Sequence, residues 1–327
     1  MGRKKIIVVG GGASGLMAAG TAAECGADVL LLEKMNTPAR KIRISGKGRC
    51  NVSNNAELSD FLSHFGKSGK FLRQPFSQFF TPELVAFFES IGLKLKVERG
   101  GRIFPVDGDA PFVAKLLVEW VQKAGVTLRS NVAVDRLIIR DGVVGGVISD
   151  TKHLYSDSVI VAAGGASYPR TGSTGDGYRL AGEAGHTIIP IRPALVPLET
   201  EKMAVNGLAG LDLRNIKLRL FIDGKRKRQI FGELSFTGFG LGGPIVLSIS
   251  QMAVDALRRN QSVSVSLDLK PALDEAKLDA RLLRDLQKRS AEPMVSFLRG
   301  LLPRQLVDTC LDHTDINPDC IAGSLPA

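Results

Sequence analysis

The stretch KIIVVGGGASGLMAAGTAAECGADVLLLE, residues 5–33, decides the fold. KIIVVG (5–10) is a short β-branched run of the kind that parallel sheets bury on both faces. Gly10, Gly12 and Gly15 then match G-x-G-x-x-G. A helix is expected from about Ser14 to Glu24, closed by Gly26, and a second buried strand, DVLLLE, ends on Glu33. Gly10 permits the tight turn, Gly12 lets a pyrophosphate approach the backbone, and Gly15 lets helix pack on strand. The helix N-terminus offers free N–H groups and a positive dipole, while Glu33 can hold a ribose hydroxyl pair. Alone the motif is weak. Framed by strand, helix, strand and acid, it reads as a dinucleotide-binding unit. Glu33 would repel a 2′-phosphate, so the ligand is FAD or NAD rather than NADP.

Composition bounds the rest. With 327 residues, 44% hydrophobic and 23% charged, the chain can bury a sizeable core and divides into two or three domains. A net charge of +10 favours anionic partners without choosing among phosphates, nucleotides, RNA and acidic lipids. A basic, solvated surface is the plainer reading. Cys25, Cys50, Cys310 and Cys320 lack CxxC spacing and suggest no disulfide framework, so the cytoplasm is the expected location. MGRKK followed by an apolar run imitates a signal peptide, but Gly10, Gly11 and Gly12 split the run and a second strand follows at once. Ile6 stands where a myristoylation motif needs Ser or Thr. No stretch is long and apolar enough to span a bilayer, so no membrane partner is expected.

Past Glu33 a long polar loop, NTPARKIRISGKGRCNVSN (36–54), carries Arg40, Lys41, Arg43, Lys47 and Arg49. A NAD domain would usually continue with another strand–helix unit. Thr81-Pro82-Glu83 is expected to cap a helix to about Ile91, and Asp109 to start another that ends before Gly125. VTLRSNVAV (126–134) is expected to precede a β-meander turning at Asp141-Gly142, then the apolar strand SVIVAAGG (158–165). From about residue 190 strands alternate with turns (KLRLFID, QIFGELSFT, SVSVSLDL), as a small antiparallel barrel would. From Pro271 the pattern is helical, with Leu278, Leu282, Leu283 and Leu286.

The segments RKIRISGKGRCNVSN, GGRIFPVDGDA (100–110), AAGGASYPRTGSTGDGY (162–178), PALVPL (193–198) and FTGFGLGGPIVLSIS (236–250) together resemble the bacterial BaiN-like flavoproteins, the aminoacetone-oxidase-type FAD-binding enzymes. The resemblance covers essentially the whole chain. It implies an α/β fold: an FAD-binding Rossmann-like domain of the two-dinucleotide-fold flavoprotein type, with an inserted antiparallel β-barrel and a small helical insert. The implied bounds are 1–188, 189–270 and 271–327. By resemblance, Gly10, Gly12, Ala13, Ser14 and Gly15 contact the pyrophosphate and Glu33, with Lys34 beside it, the adenosine ribose. Arg40 and Lys41 lie by the cofactor phosphates and ribose, and Ser45, Gly46, Gly48, Arg49 and Asn51 along the flavin. Val132 or Val134 bonds the adenine through its backbone, and Ala163 and Gly164 close over the dinucleotide. The family continues into a glycine-rich segment of the GExxDxxGxxGGYN kind that covers the flavin. Nothing similar appears here, so the expectation is that either the chain or its gene is truncated or part of the flavin pocket is lacking.

The polar loop then has a physical reading. Gly46 and Gly48 let backbone approach the isoalloxazine ring, Lys47 or Arg49 offsets charge developing at N1 and O2, and Asn51 and Asn54 offer hydrogen bonds. Cys50, with no resolving cysteine near it, reads as packing. Lys225-Arg226-Lys227-Arg228 follows the turn Asp223-Gly224 and reads as a solvated hairpin tip, so nucleic acid is not an expected partner. Gly238, Gly240 and Gly243 are rejected as a second nucleotide motif, because Pro244 follows and the spacing is wrong; a nicotinamide reductant would therefore meet the flavin directly. Cys310, His313, Asp315 and Cys320 fit no zinc spacing, and His64 is too isolated for a covalent flavin link. The sequence points to an FAD-dependent oxidoreductase exchanging hydride between flavin and a small organic substrate or NAD(P)H, with no identifiable catalytic base and no metal. The rivals are a flavin-dependent RNA-modifying or RNA-binding factor and a truncated, non-catalytic nucleotide-binding module.

Overall fold

The computed structural model describes residues 2–201, 205, 207–314 and 316–324. The chain divides into two compact units, Met1–Ile189 and Pro190–Ala327.

The first unit is built on a parallel four-stranded sheet in the order Ser158–Val161, β1 (Lys5–Val9), β2 (Asp28–Glu33) and Thr127–Ser130. Helix α1 (Ala13–Glu24) links β1 to β2. Side chains alternate along β1 and so feed two separate cores. Val8 packs with Leu16, Ala19 and Leu31 under the helix Ala110–Lys123, which contributes Val113, Leu117 and Val121. Ile7 and Val9 face the other way, onto Leu32, Val147 and Leu180, where the antiparallel meander Arg136–Arg140, Val143–Ser149, Lys152–Tyr155 covers the sheet.

Close approach fixes the geometry around α1. A Cβ on Gly15 would lie 1.8 Å from the carbonyl oxygen of Gly10, so only glycine lets the helix sit against the β1 turn. One side of α1 also meets Trp120, whose ring tip would be 2.2 Å from a Cβ on Gly20 and whose Nε1 donates to Glu24 (2.9 Å).

Two differences from the sequence reading have local causes. Thr81 does not cap its helix; it is the first residue of Thr81–Ser90, and its hydroxyl donates to the Asn54 carbonyl (3.1 Å). The Glu83 carboxylate instead accepts from the Phe80 N–H (2.9 Å), a main-chain start to the helix. Helices Leu58–Ser63 and Gly69–Gln78 were unassigned in sequence; Phe61 meets Phe76 and Phe80 edge-on at 5.5 and 5.1 Å, and this aromatic pairing holds them together.

The second unit contains a five-stranded antiparallel sheet in the order Leu198–Glu199, Gly240–Gly242, Lys225–Thr237, Asp212–Ile222, Val263–Asp268. Helix Pro244–Leu257 covers one face with Ile245, Val246, Ile249 and Ala253. Pro244 opens that helix at its first position, where its missing N–H has no partner to lose. Helices Glu275–Lys288, Met294–Arg299 and Arg304–Thr314 gather a separate cluster of Met294, Phe297, Val307 and Leu311. Arg289 ties the helices by donating from Nε and Nη2 to both carboxylate oxygens of Glu292 (2.7 and 2.6 Å) and to the Ser296 carbonyl (2.9 Å). Among the described residues no helix is long and apolar enough to cross a membrane, and no group of three His, Cys, Asp or Glu is placed to hold a metal. Asp315 of the rejected zinc set lies outside the described residues.

Two outcomes are expected. Gly15→Ala forces backbone apart and should lower unfolding free energy by about 2–3 kcal/mol in urea titrations, whereas Gly12→Ala, whose Cβ would meet nothing within 4 Å, should leave it unchanged. The Arg289 guanidinium, helped by Ser296, holds the Glu292 carboxyl at about 2 against an ordinary 4.5. A lowered folded-state value adds stability above the unfolded value and loses it as pH falls through the folded one. Thermal unfolding followed by circular dichroism should therefore lose stability from about pH 4.5 down to about 2, and Glu292→Gln should flatten that loss.

Candidate functional site: a cavity at the carboxyl edge of the parallel sheet

A cavity of about 810 Å³ opens where β1, β2 and Ser158–Val161 release their chains, lined there by Gly10, Glu33 and Ala162 to Gly164. Open α/β sheets bind ligands at this edge, because the strand ends diverge and helix N-termini converge there.

Glu33 is the anchor. It is only 9% exposed, yet its Oε2 accepts from the Gly11 N–H (2.7 Å) and its Oε1 from the Met35 N–H (2.8 Å). Both bonds fix the glycine turn to the end of β2. No side chain caps α1, so the first-turn N–H groups face the cavity unclaimed, beside Gly12, Ala13 and Ser14.

Cations crowd the same cavity. Lys34 Nζ donates to Asp176 (2.5 Å) and Thr174 (2.6 Å), and Lys41 Nζ to Ser173 (2.7 Å) and the Ser167 carbonyl (3.0 Å). The two lysines thus clasp the 167–176 segment to the mouth. Partial burial pushes the Asp176 carboxyl up, but the Lys34 ammonium, Thr174 and Arg179 more than reverse that and leave it below its ordinary range. Arg179 in turn donates to the carbonyls of Asp135 and Val134 and to Glu183. Arg40 lines the cavity with no hydrogen bond or ion pair among the described residues.

The far wall is apolar. Leu84 and Phe88 come from Thr81–Ser90, and Val113 and Leu117 from Ala110–Lys123. Cys50 is buried there with a positive φ of 60°; burial pushes its thiol up against a hydrogen bond with Ser45, so it stays neutral and packs.

Of the residues singled out in sequence, Gly10, Gly12, Ala13, Ser14, Glu33, Lys34, Arg40, Lys41, Ser45, Asn51, Val132, Val134, Ala163 and Gly164 line this one cavity. Gly15, Gly46, Gly48 and Arg49 do not. Gly15 is spent on the helix–strand contact. Arg49 pairs with Glu98 (2.6 Å) and lies 4.2 Å over the Phe104 ring, and Asn54 donates to the Gly100 carbonyl (2.9 Å). The Asn51 amide, turned so that both its groups are satisfied, donates to the carbonyls of Ser53 and Ile103 (3.0 and 3.2 Å). Sequence reasoning missed Ser173, Asp176, Arg179 and the apolar wall. The first three sit in or just beyond TGSTGDGY, a segment noticed without roles; the wall was hidden in ordinary helical periodicity.

These residues suit FAD. Gly12 leaves open space where a side chain would block a pyrophosphate, unclaimed helix N–H groups and a free Arg40 await negative charge, and a fixed carboxylate ends β2. The cavity size is that of a large-ligand site.

Comparison with known proteins gives the family. The model of the HI0933-like protein Rossmann domain matches residues 4–266. A 3-dehydro-bile acid Δ4,6-reductase of Clostridium scindens is 32% identical over 98% of this chain and 78% of its own length. Ribosomal RNA dihydrouridine synthases of Haemophilus influenzae and Escherichia coli are each 28% identical, over 97% and 94% of this chain and 76% and 73% of theirs. The dinucleotide unit read from residues 5–33 and the flavoprotein resemblance thus come together: the chain belongs to the HI0933-like family of FAD-dependent Rossmann-fold oxidoreductases.

Proposed function

We propose that the cavity at the sheet edge is the FAD site and that this chain exchanges hydride between bound flavin and a small organic substrate, with NAD(P)H as the reductant. One observation carries the reading: an uncapped helix N-terminus and a fixed, buried carboxylate stand at the end of adjacent parallel strands and line one cavity.

In this reading the N–H groups of α1 and the open face of Gly12 receive the pyrophosphate, and Glu33 accepts hydrogen bonds from a ribose. Arg40 and Lys41 offset phosphate charge. Ala163, Gly164, Val132 and Val134 border the dinucleotide with main chain, and Ser45 and Asn51 border the ring end. The wall of Leu84, Phe88, Val113 and Leu117 excludes water. FAD, when bound, supplies a two-electron centre that accepts and donates hydride. The Clostridium scindens relative, a named reductase, favours carbon–carbon double-bond reduction over amine oxidation. A cytoplasmic setting suits four free thiols.

A second reading, a flavin enzyme acting on RNA, is favoured by the net charge of +10 and by the two dihydrouridine-synthase relatives. Salt-dependent RNA affinity separates it from the first.

The direct test is anaerobic titration of the FAD-loaded chain with NADH and NADPH while visible absorbance is recorded. Bleached flavin bands are the expected result; a chain that takes up no FAD would instead be a nucleotide-fold module without this chemistry. Gly12→Val should abolish FAD uptake without changing the unfolding midpoint. Glu33→Gln, which weakens charge-assisted bonds, should raise the Kd for FAD by about tenfold in equilibrium dialysis.

A further inference from the structure

Residues 55–80 leave the first unit and return to it at one point. The Thr81 hydroxyl donates to the Asn54 carbonyl (3.1 Å) and meets the Ser53 hydroxyl (3.0 Å), so both feet of the excursion are pinned together. Between them Leu58–Ser63 and Gly69–Gln78 form a helical hairpin held by Phe61, Phe65, Phe76 and Phe80. Among the described residues of this lobe only Gly69 is buried. A Cβ on Gly69 would lie 2.3 Å from the Leu62 carbonyl oxygen, so glycine is what lets the bend close.

The tip of the lobe is lopsided in composition. Phe65, before the bend, is 44% exposed and Phe71, in the first turn after it, 81% exposed. Taking roughly 200 Å² for a whole side chain, the two leave about 250 Å² in water. From Phe61 to Pro82 the sequence holds His64, Lys67, Lys70 and Arg73 but no Asp or Glu. Lys70 and Arg73 are exposed, with no ion pair among the described residues. The two acids of the lobe, Glu57 and Asp60, stand at the foot end of the first helix. A soluble polyanion would satisfy Lys70 and Arg73 but leave Phe71 in water. A standard folded partner buries about 800 Å² a side, several times what the two rings offer. An anionic bilayer meets both needs, because rings enter the acyl boundary while cationic heads stay among the headgroups. Lying on a membrane requires no spanning helix.

We propose that this tip docks the protein on an anionic lipid surface, with Phe71 and Phe65 inserted and Lys70 and Arg73 among the headgroups. The inference is independent of the flavin reading. Flotation of the full chain with phosphatidylcholine vesicles, with and without phosphatidylglycerol, tests it. Binding should require phosphatidylglycerol and weaken with salt. Phe71→Ser should weaken it about tenfold with the salt dependence unchanged. Lys70→Gln should weaken it about fivefold and make the salt dependence shallower. Phe71→Trp should add, over the constant signal of Trp120, a blue-shifted emission that brominated lipid quenches. Binding unaffected by Phe71→Ser, or fully displaced by heparin with no such shift, would overturn the proposal and leave a polyanion patch. A chain that binds no vesicle but forms a dimer lost in Phe71→Ser would overturn it in favour of a second copy. FAD uptake and the unfolding midpoint of each variant, expected unchanged, keep this outcome separate from that of the flavin site.

Discussion

One buried carboxylate organises the first unit. Glu33 ends β2, yet its two oxygens are held by the N–H groups of Gly11 and Met35. The glycine turn after β1 and the chain leaving β2 are therefore locked to one another through a single side chain. Removing that charge would leave buried donors unpaired, which costs more than the bonds contribute when made. The same carboxylate faces the cavity, so the group that shapes the turn also shapes what can enter. Gly15 completes the arrangement, because its lack of a Cβ lets α1 rest on the Gly10 carbonyl and aim its N-terminus at the cavity.

Electrostatics around the cavity are arranged in layers. Lys34 and Lys41 spend their ammonium groups on Asp176, Thr174, Ser173 and Ser167, and so position the 167–176 segment rather than standing free. Arg40 is left to face a ligand. In the proposed FAD reading, the two phosphate charges of a dinucleotide would meet uncompensated donors at α1 and at Arg40, and its ribose end would meet Glu33. The opposite sign at the two positions gives the cavity a direction.

Residues 5–33 were legible because each element there obeys a local rule: β-branched strand, glycine turn, capless helix, apolar strand, acid. The meander and the hairpins were legible from turn chemistry, as at Asp141-Gly142 and Asp223-Gly224, whose residues adopt positive φ. The loop of residues 36–54 was only half legible. Its glycines signalled unusual backbone, and Gly46, Lys47, Gly48 and Cys50 do adopt positive φ. Where its side chains go depends on partners distant in sequence, such as Glu98 and Phe104 for Arg49. The apolar wall was illegible for the same reason, since nothing in the periodicity of residues 81–90 or 110–123 says which side chains end at a cavity. Pro244 shows the reverse case, a residue that excludes a nucleotide motif and starts a helix by one property, its missing N–H.

The central claim is that the sheet edge recognises the adenosine diphosphate half of FAD through α1, Gly12 and Glu33. Calorimetric titration of the chain with FAD, FMN and riboflavin, and with FAD in the presence of ADP, tests it most directly. Binding of FAD far above FMN and riboflavin, with ADP competing, is the predicted result. Equal binding of FMN and FAD, or indifference to ADP, would contradict it.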